Sequence, residues 1–133
     1  MSEQNWKDLV AYRIDEAAEA LDTSKLLLEH GRLKASINRS YYAIFNGLRA
    51  VCHTRQMDFS KHSAVIGYFR KEFIKTGVFD SEFSDMIGEA FDFRGDADYE
   101  QFFYPTYADA ESQILNAESI LTAIKNYIGE NNK

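Results

Sequence analysis

The stretch Leu33-Lys34-Ala35-Ser36-Ile37-Asn38-Arg39-Ser40-Tyr41-Tyr42-Ala43-Ile44-Phe45-Asn46-Gly47-Leu48-Arg49-Ala50-Val51-Cys52-His53 decides the fold. Ile37, Tyr41, Ile44 or Phe45, Leu48 and Cys52 recur at steps of three and four, so they share one face of a helix with 3.6 residues per turn. His53 and Arg55 fall at its carbonyl end, where the helix dipole favours cations.

The same spacing extends outward in both directions. Upstream, Leu9, Ala17, Leu21 and Leu28 mark a helix from Trp6 to Leu28, with Gly31 as its stop after His30. Downstream, Ser60 reads as the N-cap of a third helix through Ser63, Ile66, Phe69, Phe73 and Ile74, ended by Gly77. Asp80 then caps a fourth helix from Ser81 to about Phe93. The segment Gly95 to Pro105 breaks the pattern. Thr106 with Asp109 three residues on has the form of a capping box, and opens a last helix through Ile114, Ala117, Leu121, Ile124 and Ile128. No strand alternation, repeat or Pro/Ser-rich linker interrupts this, so the expected fold is an all-α bundle of five helices.

At 133 residues the chain is expected to form a single domain, 1–133, large enough for its own core. No apolar run approaches the roughly 18 residues that a membrane-spanning helix needs. The start, Met1-Ser2-Glu3-Gln4-Asn5-Trp6-Lys7, lacks a signal-peptide pattern, which makes a cytoplasmic protein the expectation. Cys52 lies on the apolar stripe and reads as a core residue. His30, His53 and His62 sit on separate helix ends without ligand spacing, so no metal or cofactor is expected.

The net charge of −6 argues against indiscriminate nucleic-acid binding, yet it is unevenly spread. Residues 31–75 carry nine lysines and arginines against Asp58 and Glu72 alone, whereas both flanks are acidic. A basic middle in an acidic chain is either a local anion site or the solvated face of two helices paired with acidic neighbours.

Three motifs occur in order: Asn38-Arg39-Ser40-Tyr41-Tyr42-Ala43-x-Phe45, then Lys61-His62-Ser63-x-Val65-Ile66 continuing to Phe73-x-Lys75-Thr76-Gly77, then Arg94-Gly95-x-Ala97-Asp98-Tyr99. Together they resemble the HEPN family, in particular its small stand-alone prokaryotic branch. The resemblance implies an up-and-down helical bundle that forms a homodimer, with a minimal nucleotidyltransferase as partner in a toxin–antitoxin or stress-response module. It also implies that some members are metal-independent endoribonucleases, in which an arginine near the end of the fourth helix is followed after four to six residues by a histidine. Arg94 matches that arginine, but no histidine follows it, and Asp98 and Tyr99 occupy the intervening positions. RNA cleavage by the 2′-hydroxyl needs a base poised near neutral pH, which unperturbed tyrosine at about 10 and aspartate at about 3.9 bracket poorly.

Two site readings follow. In one, Arg39, Tyr42 and Asn38 frame an anion or nucleotide cleft with Arg94, oriented by Asp98 and Tyr99, and RNA or nucleotide is the ligand. If the protein is a nuclease, Arg94 stabilises charge while Asp98 or Tyr99 replaces the histidine. In the other, Arg39 pairs with Asp98 or Asp96, Arg94 meets Asp98, and the groups only hold the bundle as a structural adaptor. Arg55 and His62 also fit the arginine–histidine spacing, but straddle a loop and are expected not to pair. Phe91, Phe93, Tyr99, Phe102, Phe103, Tyr104 and Tyr107 crowd one short segment, too many rings to bury together, so a dimer or partner surface is expected there.

Overall fold

A computed structural model of the chain describes residues 1–99 and 102–131, with the backbone alone at Tyr99. Five α-helices follow in order: α1 Glu3–Glu29, α2 Leu33–Thr54, α3 His62–Phe69, α4 Glu82–Tyr99 and α5 Tyr107–Asn131. Among the described residues there is no strand.

Local chemistry sets most of the boundaries. The Ser2 hydroxyl accepts the Asn5 N–H at 3.1 Å to open α1, and Gly31 leaves it at a φ of 72°, a left-handed turn open to glycine. Asp80 accepts the Glu82 N–H at 3.0 Å before α4. Thr106 and Asp109 form the expected reciprocal box, with hydrogen bonds of 2.9 and 3.0 Å.

Three expectations are corrected. The third helix starts one residue after Lys61, which is extended, and the Lys61 carbonyl accepts the N–H groups of Ala64 and Val65, so its first turn closes without Ser60 as cap. After Phe69 it widens into a π-helical turn, Arg70–Ile74, in which the Lys75 N–H reaches the Arg70 carbonyl at 2.8 Å. Finally, α4 does not end near Phe93 but runs through Gly95 to Tyr99. An interior glycine weakens a helix by about 1 kcal/mol, but Phe93 and Ala97 pack against Leu28, Ile37, Ala110 and Ile114, which outweighs it.

The helix α2 is the axis of the bundle, touching α1, α3, α4 and α5. Ile37, Tyr41, Ile44, Phe45, Leu48 and Cys52 are all buried, as their spacing predicts. Against α5 the approach is close: a Cβ on Gly47 would stand 2.6 Å from Leu121 Cδ2. Against α1, the buried Ser24 and Ser36 hydroxyls each donate to the other's carbonyl, at 2.7 and 2.9 Å. Burial pushes the Cys52 thiol up to about 12, so it packs as a neutral side chain.

His53 is not the cation that its place at the helix end favours. It is 1% exposed, its Nδ1 is 3.0 Å from the Met57 carbonyl, and its Nε2 accepts from Arg13 Nε at 3.4 Å. Burial, followed by Arg13 and Arg49, outweighs the Met57 carbonyl and Asp58 and holds its pKa below the usual value. Core packing has overridden the helix dipole.

Candidate anion site at the seam of α2 and α4

The α2 sequence Asn38-Arg39-Ser40-Tyr41-Tyr42 turns Ser40 and Tyr41 inward and leaves Asn38, Arg39 and Tyr42 half-buried at the edge facing α4. Because α4 continues past Gly95, Arg94 and Asp98 are one turn apart on the facing edge. Arg94 Nε stands 2.9 Å from Asp98 Oδ2, with the two side chains only 20% and 29% exposed. Arg94 Nη2 donates to the Tyr42 hydroxyl at 3.1 Å, tying the helices together. Asn38 Nδ2 donates to both Asp98 oxygens, at 3.2 and 3.4 Å, and Asn38 Oδ1 accepts from Arg39 Nε and Nη2 at 3.2 and 3.0 Å. The result is one polar chain, Arg39–Asn38–Asp98–Arg94–Tyr42, across the seam.

Five of the six predicted site residues therefore come together: Arg39, Asn38, Tyr42, Arg94 and Asp98. The Tyr99 side chain, the sixth, lies outside the described residues. The partners differ in detail from the expected network. Arg39 bonds its neighbour Asn38 instead of Asp98 or Asp96, because Asn38 stands between it and the carboxylate. Its guanidinium also covers the Tyr42 ring at 4.9 Å. Lys34, Asn38, Arg39, Ala97 and Asp98 line an open groove of about 320 Å³ beside it.

Beneath the seam lies an aromatic layer. Arg94 Cζ is 5.5 Å from the Tyr41 ring and 5.7 Å from the Tyr42 ring, which themselves meet edge to face at 5.1 Å. Tyr41 is 2% exposed, and burial raises its phenol to about 12 even though Arg94 pulls the other way.

Sequence reasoning missed His62 at this layer. The Tyr41 hydroxyl lies 2.8 Å from His62 Nδ1, and the imidazole stacks on Phe45 with centroids 4.0 Å apart. Burial lowers the His62 pKa, and Arg94 and Arg49 lower it further. Arg55 is engaged elsewhere: it pairs with Glu72 at 3.5 Å and covers the Phe73 ring at 4.2 Å. The signal for His62 was its motif on α3, but linear spacing could only test pairs along one chain segment.

The aromatic segment divides. Phe102 and Tyr104 are 75% and 78% exposed and Tyr107 is 55% exposed. Phe103, by contrast, packs toward the bundle against Phe93 at 6.1 Å. Lys34 lies 5.6 Å from the Tyr104 ring, linking this patch to the groove.

The HEPN domain family model matches residues 10–127 of the chain. A UPF0332 protein of Thermotoga maritima is 35% identical over 120 residues, covering 90% of this chain and 91% of the relative. Two proteins of Methanocaldococcus jannaschii, each carrying the name "Putative toxin", are 31% and 32% identical. These alignments cover 86% and 88% of this chain and 78% and 87% of the relatives.

Proposed function

The chain belongs to the HEPN family, and on that premise we propose that it is the toxin-like helical member of a two-protein module, with a minimal nucleotidyltransferase as its partner. In this reading it works as one domain, in the cytoplasm, as a homodimer that uses the exposed Phe102 and Tyr104 patch. The seam around Arg94 is its anion-binding cleft, taking a nucleotide or the phosphate backbone of RNA. No helix among the described residues is long and apolar enough to cross a membrane.

One observation carries the cleft. Arg94 is held in a fixed place by Asp98 and Tyr42, while Arg39, bonded to Asn38, lines the neighbouring groove together with Lys34 and Asp98. The Arg39 guanidinium and the Lys34 ammonium on one groove, with Arg94 bound to the Asp98 of its wall, suit a phosphate, which Asp98 alone cannot neutralise. Asp98 and Asn38 act here as positioning residues.

The test is induced expression in a bacterial host. Wild type should arrest growth, and Arg94→Ala, accumulated to the same level, should not. Harmless expression of the wild type, or equal arrest by the variant, overturns the reading. The endoribonuclease reading gains from one observation, the position of His62 on the Arg94 tyrosines.

A further inference from the structure

We propose that the groove bounded by α3, by Arg70 of the π-helical turn and by α4 is a docking site for a basic, amphipathic segment of another protein. That segment seats one apolar side chain between Gly67 and Gly88 and sets its lysines or arginines against the carboxylates of α4. The groove shares no lining residue with the one beside Arg39, so the inference goes beyond the reading of the Arg94 seam and does not depend on it.

Two adjoining hollows make up the groove. The first, about 250 Å³, is bounded by Ile66 and Gly67 of α3 and by Ile87, Gly88 and Phe91 of α4. The second, about 440 Å³, is bounded along α4 by Asp85, Glu89, Asp92 and Asp96. Arg70, Gly88 and Asp92 border both, so the apolar hollow runs into the acidic one. Arg70 opens the π-helical turn after α3, and its Nη2 donates to the Ser84 carbonyl at 2.9 Å. A Cβ on Gly88 would stand 3.1 Å from that nitrogen, so glycine there lets the guanidinium reach the α4 backbone.

Gly67 has no such reason inside the chain. It lies within an eight-residue helix, where only proline is a poorer helix former, and a Cβ there would meet no atom within 4 Å. Alanine would serve the helix better. What glycine does at this place is keep the apolar hollow open and let another backbone come close. On the opposite wall Phe91 is 40% exposed, and it adds an aromatic ring to the apolar surface that a partner would cover.

Charge selects the occupant. Asp85, Glu89, Asp92 and Asp96 are exposed, and steps of four, three and four residues put them on one face of α4. None of the four forms an ion pair with a described residue, and Arg70 is the one cation among the described residues that line the groove. Such a surface repels a phosphate backbone and attracts lysine and arginine. A second copy of the chain fits less well, because its Arg49, Arg55 and Arg94 are already paired with Asp58, Glu72 and Asp98. The occupant that fits both hollows has a large apolar residue flanked by basic ones, as one face of an amphipathic helix presents them.

The experiment uses the full chain and a fluorescein-labelled synthetic helical peptide with leucines along one face and lysines elsewhere, read by fluorescence anisotropy. Two control peptides carry alanine for every leucine or glutamate for every lysine. Wild type should bind the leucine–lysine peptide and neither control. Gly67→Leu fills the apolar hollow and should keep or raise the Tm, since nothing stands where its Cβ goes, while binding falls by at least ~10-fold, as for loss of a central interface anchor. Asp85→Asn with Asp92→Asn leaves the hollow's shape alone and should weaken binding several-fold at low salt and less at high salt, which also covers the case in which Gly67→Leu fails to fold. Wild type that does not bind the peptide, a folded Gly67→Leu that binds as wild type does, a glutamate control that binds equally well, or an affinity unchanged in the double variant overturns the inference. A change of oligomeric state in Gly67→Leu by light scattering, with no peptide present, overturns it too and makes the groove a contact between copies of this chain.

Discussion

Replacing Asp98 by asparagine separates a binding cleft from a structural brace, because only the cleft account couples a loss of stability to a gain in affinity. The change keeps the shape of the side chain but removes the charge that faces Arg94 Nε at 2.9 Å and accepts from Asn38 at 3.2 and 3.4 Å. An exposed i, i+4 ion pair stabilises a helix by about 0.3–0.5 kcal/mol. Here the partners are only 20% and 29% exposed and a third group joins them, so the loss should rise to that of a typical hydrogen bond, about 1 kcal/mol. For a chain of this size that is a fall in Tm of about 4 °C. A phosphate bound beside Arg94 would at the same time escape the repulsion of one carboxylate. At about 6 Å and an effective dielectric between those of the protein surface and water, that is worth ~1 kcal/mol, or about fivefold tighter binding. Thermal melts and fluorescence anisotropy with a labelled single-stranded RNA read the two effects on one preparation. A lower Tm with higher affinity supports the cleft. An unchanged Tm, or an affinity that falls with the charge removed, refutes the reasoning, since Tyr42 still holds Arg94 in the variant.

Other outcomes follow from the same structure. Phe102→Asp with Tyr104→Asp should turn a dimer into folded monomer by light scattering, as loss of central interface anchors typically costs about 2 kcal/mol or more; Phe103 is left alone because it packs inward. A wild type that is monomeric at micromolar concentration, or a double variant that stays dimeric, excludes this surface. His53 has a folded pKa below its unfolded value near 6.5, so the unfolded chain binds more protons as pH falls and stability must drop from pH ~6.5 downward. Melts at pH 7.5 and 5.5 should differ, and should differ less in His53→Gln; equal differences in the two proteins refute the assignment. Gly47→Val places methyl groups where Leu121 and Ile124 already stand and should destabilise by about 2 kcal/mol in a urea titration, whereas a neutral result would mean that α2 and α5 are less tightly packed.

The fold was legible where the physics is local. The α2 stripe from Ile37 to Cys52, the glycine stops at Gly31 and Gly77 and the box at Thr106 and Asp109 each depend on residues within one or two turns. Where tertiary packing decides, the sequence misled. Gly95 reads as a break, yet burial of Phe93 and Ala97 carries α4 past it, and that continuation puts Asp98 against Arg94. His53 reads as a cation at a helix end, yet Arg13 and burial keep it neutral. The candidate site follows the same division. Its residues are named by motifs, but their partners are set by how α2, α3 and α4 cross, so the interposed Asn38 and the approach of His62 to the Arg94 tyrosines have no counterpart in linear spacing.

The central claim is that the Arg94 seam takes a phosphate-bearing ligand, and a melt series with a short single-stranded RNA tests it most directly. A ligand at about 100 times its Kd adds ~2.7 kcal/mol to the folded state, which is a Tm rise of about 10 °C in a chain of this size. Wild type should show that rise, smaller as salt is added because phosphate contacts release counterions. Arg94→Ala should remain folded and show none. A flat response in the wild type, together with a large fall in Tm for both Arg39→Ala and Arg94→Ala, would contradict the cleft and mark the two arginines as braces of the bundle.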